Sequence, residues 1–143
     1  AVSDLGKADF VRGLGADDVV AYDAPDWGEP VDYALDAVGG ALLKPAVGAL
    51  APYGRLVAYS SGGGTVEAYD LLAGAKSVIG FQMALLARGR PETYEKWRKE
   101  LWDLFLTGRL KPCVHAEFAL EEAARAHEVI EGRANLGKVV LIP

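Results

Sequence analysis

Asp36 closes the run Val31-Asp32-Tyr33-Ala34-Leu35-Asp36 and is followed shortly by Gly39-Gly40. A carboxylate beside glycines can meet a ligand, or it can cap a helix starting near Ala41, which is the plainer reading. Further on, Ser60-Ser61-Gly62-Gly63-Gly64 joins two hydroxyls to three residues without a Cβ, so its backbone can close on a ligand. The same stretch also reads as a plain flexible loop. Cys113 and His115 stand two apart, so a strand would aim them the same way; a metal site needs three or four ligands, and two neighbours do not make one. His127 has helical spacing with Ala123 and Ile130 and no acid or nucleophile paired with it by spacing. It reads as a core or half-buried histidine rather than a general base. Tyr94 and Trp97 fit a helix packed on a sheet, while Trp102 falls off that face. Lys7 alone is a solvated helix lysine. No residue is marked out as catalytic.

The elements that must position these residues follow from periodicity. Val31–Asp36 is a short, mostly apolar strand, and Leu42, Leu43, Ala46, Val47 and Leu50 then give one apolar helical face. Pro52-Tyr53-Gly54 reads as a turn and Arg55-Leu56-Val57-Ala58-Tyr59 as a second buried strand. Strand, crossover helix and strand form a βαβ unit with parallel strands and a right-handed crossover. The Ser/Gly stretch then leaves the second strand at its carboxyl end, where open α/β sheets bind ligands. A nucleotide-binding α/β sheet is the reading that results.

Ahead of this unit, Ala1-Val2-Ser3 looks like a strand end, with Ser3 or Asp4 capping a helix that carries Phe10, Val11 and Leu14 and closes at Gly15. Asp18–Tyr22 is a further strand candidate, and Asp23–Pro30 a surface loop. Behind it, Thr65–Gly74 carries a helical turn and Lys76–Phe81 a short strand of high β-propensity. Tyr94, Trp97, Leu101, Leu104 and Phe105 hold helical spacing between Glu92 and Thr107. Val114–Phe118 is extended; Leu120, Ala123, Ala124, His127 and Ile130 mark a last helix closed by Gly132; Gly137–Ile142 is the final strand. Arg88, Arg90, Lys96, Arg98 and Lys99 interleave with Glu92, Glu95 and Glu100, a solvated face with pairs such as Glu92–Lys96 and Glu95–Lys99. No domain boundary or repeat stands out.

Composition narrows the function classes. The 143 residues are 51% hydrophobic, which argues for a packed core rather than disorder. A formal net charge of -5 with scattered Lys and Arg disfavours nucleic acid as a partner. One cysteine builds neither a disulfide framework nor a cysteine zinc site. No apolar run is long enough for a membrane span and no signal peptide is visible, so a reducing, cytoplasmic setting is the default expectation.

Four ordered stretches resemble the cofactor domain of the medium-chain dehydrogenase/reductase superfamily, in particular its zinc-independent quinone oxidoreductases. Lys7 followed by Leu14-Gly15-Ala16-Asp17-Asp18-Val19 and Tyr22 is similar to that family's Lys, "LGAD-x-V" and Tyr. Asp36-Ala37-Val38-Gly39-Gly40 is similar to its "D-x-V-G". Tyr53-Gly54-Arg55-Leu56-Val57 with Ser60-Ser61-Gly62 is similar to "GGR-V-x-x-G", with Tyr53 where Gly is usual. Ala123–His127 and Asn135–Leu141 resemble the closing "EA-x-x-AH … GK-V-V-L".

The resemblance implies a partial Rossmann-like, doubly wound parallel α/β sheet, with residues 1–143 forming a single, incomplete nucleotide-binding domain. It implies NADPH as cofactor, NADH remaining possible. Lys7 and Tyr22 would surround the adenosine end, Lys7 pairing with the 2′-phosphate, and Ser3 would stand where NAD-specific relatives often place an acid. Val38 would pack near the cofactor, and Tyr59, Ser60 and Ser61 near its nicotinamide side. Phe81 would lie on a nicotinamide-contacting loop, with Asn135 and Lys138 near the nicotinamide ribose and pyrophosphate. No metal ligand is implied. The family's catalytic domain and glycine-rich turn are expected upstream of Ala1, and in the 3-2-1-4-5-6 strand order the absent first strand falls between Ser3 and Val31. The expected function is hydride transfer to a small quinone or enone, with the 143-residue piece inactive by itself. A homodimer through residues 78–81 is also expected. The alternatives are a non-catalytic truncated module acting through homodimerisation and a relative of the zinc-dependent alcohol dehydrogenases.

Overall fold

The computed structural model describes residues 1–59 and 62–143, and the chain divides into two compact units, Ala1–Gly89 and Arg90–Pro143.

The first unit is built on three parallel strands in the order β1-β2-β3, where β1 is Val31–Asp36, β2 is Leu50–Ala58 and β3 is Ser77–Gly80. The crossover from β1 to β2 is a 3-10 turn, Gly40–Leu42, running into helix α2, Leu43–Gly48. The expected apolar face is the one buried. Leu43, Val47 and Leu50 form the core with Leu56, which is fully buried, and Ala34, Ala46, Ala58, Val66, Leu71 and Val78 pack around them. Burying a leucine this completely contributes roughly 1.5–3 kcal/mol. The carboxyl end of α2 is closed by Lys76, whose Nζ donates to the carbonyls of Val47 at 3.0 Å and Gly48 at 3.3 Å. A cation placed there satisfies carbonyls that the helix leaves without partners.

Three expectations are corrected in this unit. Pro52-Tyr53-Gly54 does not precede the second strand but lies inside it. Val31 pairs with Leu50 and Tyr33 with Arg55, so the extra residues of β2 bulge out between the two pairings. Tyr53 sits there at φ +66°, its N–H bonded to the Gly74 carbonyl at 2.8 Å. Asp18–Tyr22 is not a strand: it contributes one parallel bridge, Val2 to Ala21. Met83–Gly89 forms a short helix, α4, that the periodicity above does not single out. The opening helix, α1 (Ala8–Gly13), follows a 3-10 turn capped by Asp4 Oδ1 on the Gly6 N–H at 2.7 Å. Gly15 follows α1 at φ +102°, as a residue closing a helix should. The turn expected within Thr65–Gly74 is α3, Ala68–Leu72.

In the second unit, α5 (Pro91–Leu106) begins with proline in its first turn, where the missing N–H costs nothing. β4 (Val114–Ala119) pairs in parallel with β5 (Lys138–Ile142), joined through a 3-10 turn and α6, Ala123–Glu131. Helix α6 packs on both strands through Ala126, which is buried. His127 is therefore not a core histidine but an exposed one: the smallest side chains, not the longest apolar ones, face the strands. None of α5's residues is buried, and Trp97 is exposed rather than seated on a sheet. Trp102 is half exposed and meets Phe105 edge-to-face at 5.7 Å. The ion pairs on α5 are Arg98–Glu95 at 2.7 Å and Lys96–Glu100 at 4.0 Å, not the expected Glu92–Lys96 and Glu95–Lys99. Glu95, hydrogen-bonded to Arg98, raises that guanidinium's pKa above its ordinary value.

Candidate functional site

The carboxyl ends of β1, β2 and β3 lie side by side, and the chain leaves each of them through small residues. Asp36 ends β1 and is buried, with Oδ1 accepting the N–H groups of Val38 and Gly39, each at 2.8 Å. It does not cap the Gly40–Leu42 turn. It folds the residues after β1 into a tight turn, a job its Asp-x-x-Gly spacing suits.

That turn is pressed against the loop after β2. The Gly40 N–H donates to the Gly63 carbonyl at 2.9 Å. A Cβ added to Gly62 would stand 1.7 Å from the Val38 oxygen, one on Gly39 would stand 2.8 Å from the Gly63 oxygen, and one on Gly64 would stand 2.8 Å from the Gly40 oxygen. Two backbones thus touch with no side chain between them. The glycines make contact with each other rather than with an open cradle.

Strand pairing carries on past the ends of the strands. Tyr59 donates its N–H to the Asp36 carbonyl at 3.0 Å, and Phe81 to the Ala58 carbonyl at 2.8 Å. Val38, Tyr59 and Phe81 are consequently aligned on one edge of the sheet, Val38 and Tyr59 about half exposed and Phe81 partly buried. Ser60 and Ser61, expected between Tyr59 and the glycines, lie outside the described residues.

On the other side of β1 is a cleft of about 910 Å³, lined by Val20, Tyr22, Trp27, Val31, Asp36 and Val38 among others. Mostly apolar walls with a few polar groups, at this size, suit a small-molecule or cofactor site. Tyr22 and Val38 share this cleft. Ser3 is next to Tyr22, whose N–H bonds to the Val2 carbonyl at 2.9 Å, and Ser3 itself is exposed. Lys7 ends the 3-10 turn Leu5–Lys7 and is half-buried. Eight of the ten expected site residues therefore belong to the first unit, and six of these, all but Ser60 and Ser61, are among the described residues.

Asn135 and Lys138 belong to the second unit. Asn135 is partly buried and its Nδ2 donates to the Gly137 carbonyl at 2.8 Å, while the Lys138 N–H bonds to the Cys113 carbonyl at 2.7 Å. His115 accepts the Leu136 N–H on Nδ1 at 3.2 Å, a contact between residues far apart in sequence that spacing rules do not reveal.

Comparison with known proteins places this geometry in a family. The family model described as zinc-binding dehydrogenase matches residues 14–141. A probable quinone oxidoreductase of Schizosaccharomyces pombe is 31% identical over 118 residues, covering 80% of this chain and 36% of the relative. A 2-haloacrylate reductase from a Burkholderia species is 28% identical over 156 residues, covering 99% of this chain and 46% of the relative. Among solved structures, a mycobacterial protein complexed with NADPH aligns with a TM-score of 0.85 at 28% identity, over 99% of this chain and 47% of its own. The chain thus spans less than half the length of these relatives. The family description names zinc, but among the described residues no group of three or more His, Cys, Asp or Glu side chains could hold a metal. With a matching family model over most of its length, the chain belongs to the zinc-binding dehydrogenases of the medium-chain dehydrogenase/reductase superfamily.

Proposed function

We propose that the chain is the rear part of an NAD(P)H-dependent oxidoreductase that passes hydride to a small quinone or related enone. The observation that carries this reading is the alignment of Val38, Tyr59 and Phe81 on the carboxyl edge of three parallel strands, beside a cleft shared by Tyr22 and Val38. The relatives' names point the same way: quinone oxidoreductase, haloacrylate reductase and an NADPH complex.

The bound nicotinamide would supply the hydride. The protein's part is to bind, orient and exclude water, with no nucleophile required. Tyr22 and Lys7 would hold the adenosine end, Lys7 as the cation facing a 2′-phosphate, with Ser3 leaving room where an acid would repel it. Tyr59, Ser60, Ser61 and Phe81 would bound the nicotinamide, and Val38 would pack on the cofactor. Asn135 and Lys138 would reach its ribose and pyrophosphate. In Asn135 one Nδ2 hydrogen is committed to its own turn, which leaves Oδ1 to accept a ribose hydroxyl.

β1 pairs with β2 on one side only, and Tyr33 and Leu35 are largely exposed. Residues preceding Ala1 would supply a strand for that free edge, together with the glycine-rich turn and the catalytic domain. The setting would be cytoplasmic; no helix among the described residues is long and apolar enough to cross a membrane.

Titrating NADPH, monitored by its fluorescence, into the complete gene product and into the 143-residue chain tests the proposal. The complete product is expected to bind at micromolar concentrations, to prefer NADPH over NADH and to oxidise it with a benzoquinone. The short chain is expected to do none of these. Micromolar affinity in the short chain would overturn the split site, and a complete product indifferent to both nucleotides would overturn the oxidoreductase reading.

A second reading rests on β3. It is an edge strand with Ile79 46% exposed, so an open row of backbone groups stands ready to pair. Pairing with a second copy across a twofold axis would make a homodimer, with or without catalysis.

A further inference from the structure

We infer that His115 is a positioning residue for the cofactor: its Nδ1 holds the Asn135–Gly137 turn in the shape from which Asn135 and Lys138 reach a bound dinucleotide. The inference rests on the reading given above for those two residues.

The turn is fixed at three points. Within it, Asn135 Nδ2 donates to the Gly137 carbonyl at 2.8 Å. At its end, the Lys138 N–H donates to the Cys113 carbonyl at 2.7 Å, and Gly137, at φ +112°, lies so close that a Cβ would stand 2.4 Å from that same carbonyl oxygen. In its middle, the Leu136 N–H donates to His115 Nδ1 at 3.2 Å. The first two contacts are made by the turn itself and by backbone. The third is a side chain reaching over from β4, and it meets the residue directly between Asn135 and Gly137.

The chemistry fixes the histidine's state. A backbone N–H can only donate, so Nδ1 must carry the lone pair and the ring proton must be on Nε2. Nδ1 is also the only ring nitrogen that can serve here, because the acceptor must sit one bond beyond Cγ. An asparagine side chain places Oδ1 at the same remove from the backbone, whereas glutamine carries its oxygen one atom further out, where Nε2 would be. Asparagine should therefore replace His115 and glutamine should not. Without the acceptor, Leu136 turns its N–H to water and the two flanking residues lose their fixed spacing.

The test uses the complete gene product as wild type and as His115→Ala, His115→Asn and His115→Gln. Hydrogen–deuterium exchange is read on the peptide covering residues 133–138, together with NADPH affinity and the thermal midpoint. His115→Ala should speed exchange at Leu136 about tenfold and weaken NADPH binding about 3- to 10-fold, as loss of one hydrogen bond implies. The midpoint should stay within about 2 °C of wild type, since His115 is exposed and contributes little to packing. His115→Asn should restore both readouts and His115→Gln neither. Unchanged exchange in His115→Ala, or equal rescue by the two amides, would overturn the inference. Faster exchange with NADPH affinity unaltered would also overturn it, by confining His115 to the turn. A wild-type protein that binds no NADPH would instead remove the underlying cofactor reading, a result recognisable because the exchange difference at Leu136 would survive it.

Discussion

Gly62→Ala should be more damaging than its chemistry suggests. The φ of Gly62 lies outside the left-handed region, so alanine meets no backbone penalty there. Its methyl group, however, would stand 1.7 Å from the Val38 oxygen and 2.8 Å from the Val38 carbonyl carbon. Both are backbone atoms that no rotamer can move. The loop must lift away, and in lifting it breaks the Gly40 N–H bond to the Gly63 carbonyl, worth about 1 kcal/mol. It also strains the turn that Asp36 holds, which adds about 2 kcal/mol of overpacking. The sum, about 3 kcal/mol, corresponds to a midpoint lowered by about 9 °C at about 3 °C per kcal/mol for a chain of this size. Gly63→Ala is the control. Gly63 is at φ +68° with open space around its missing Cβ, so alanine there meets only the left-handed backbone penalty, about 1 kcal/mol or about 3 °C. Circular-dichroism melts of the two variants decide the matter. If Gly63→Ala melts at or below Gly62→Ala, the two loops are not in backbone contact and the rigid carboxyl edge is wrong.

Asp36→Ala leaves the Val38 and Gly39 N–H groups without their shared acceptor and should lower stability by about 2–3 kcal/mol. Asp36→Asn keeps a neutral oxygen there and should cost about 1 kcal/mol in the same urea melts, so equal losses would contradict the turn-holding role. Tyr53→Gly relieves a left-handed residue whose side chain is 78% exposed and should raise stability by about 0.5 kcal/mol, the difference between the left-handed penalty and glycine's extra freedom when unfolded; any destabilisation counts against a strained bulge. Ile79→Lys puts a charge on the free edge of β3 and should convert a dimer to a monomer by light scattering, while Val78, which packs on the core, is the wrong position for this test. An unaltered mass rejects the edge-to-edge dimer.

What the sequence discloses is largely what repetition along one element discloses. Leu43 and Val47 recur at helical spacing because they face one sheet, and with Leu50 and Leu56 of β2 they form the buried core. β5 shows as an apolar run after Gly137, and β4 as a short extended stretch after Pro112. Interactions across distance are another matter. Nothing in the spacing of Gly39 and Gly62 says that two loops meet backbone to backbone, although the abundance of glycine at both strand ends hints that something comes close. The His115 bond to Leu136 spans too many residues for any local rule. Helical spacing with Ala123 and Ile130 makes His127 read as core or half-buried, whereas close approach of a helix to strands selects the smallest residue, Ala126. Asp18–Tyr22 has strand-forming residues, yet its described pairing is a single bridge from Ala21 to Val2, and β-propensity alone does not make a ladder.

The two sides of β1 differ in a way that bears on how selectivity would arise. Toward β2, the two loops meet backbone to backbone at the glycines, and the Asp36 carboxylate is the one side chain described as holding the turn after β1. Such a frame can stay constant while the residues it carries change. Val38, Tyr59 and Phe81 project from that frame, and none of their side chains is needed to hold it, since only their backbone atoms take part in the bonds that align them. Substituting Tyr59 or Val38 should accordingly alter what the edge binds while leaving the fold intact, whereas substituting Gly62 should alter the fold first. Separating position from recognition in this way would let one sheet frame carry different residues along the same edge.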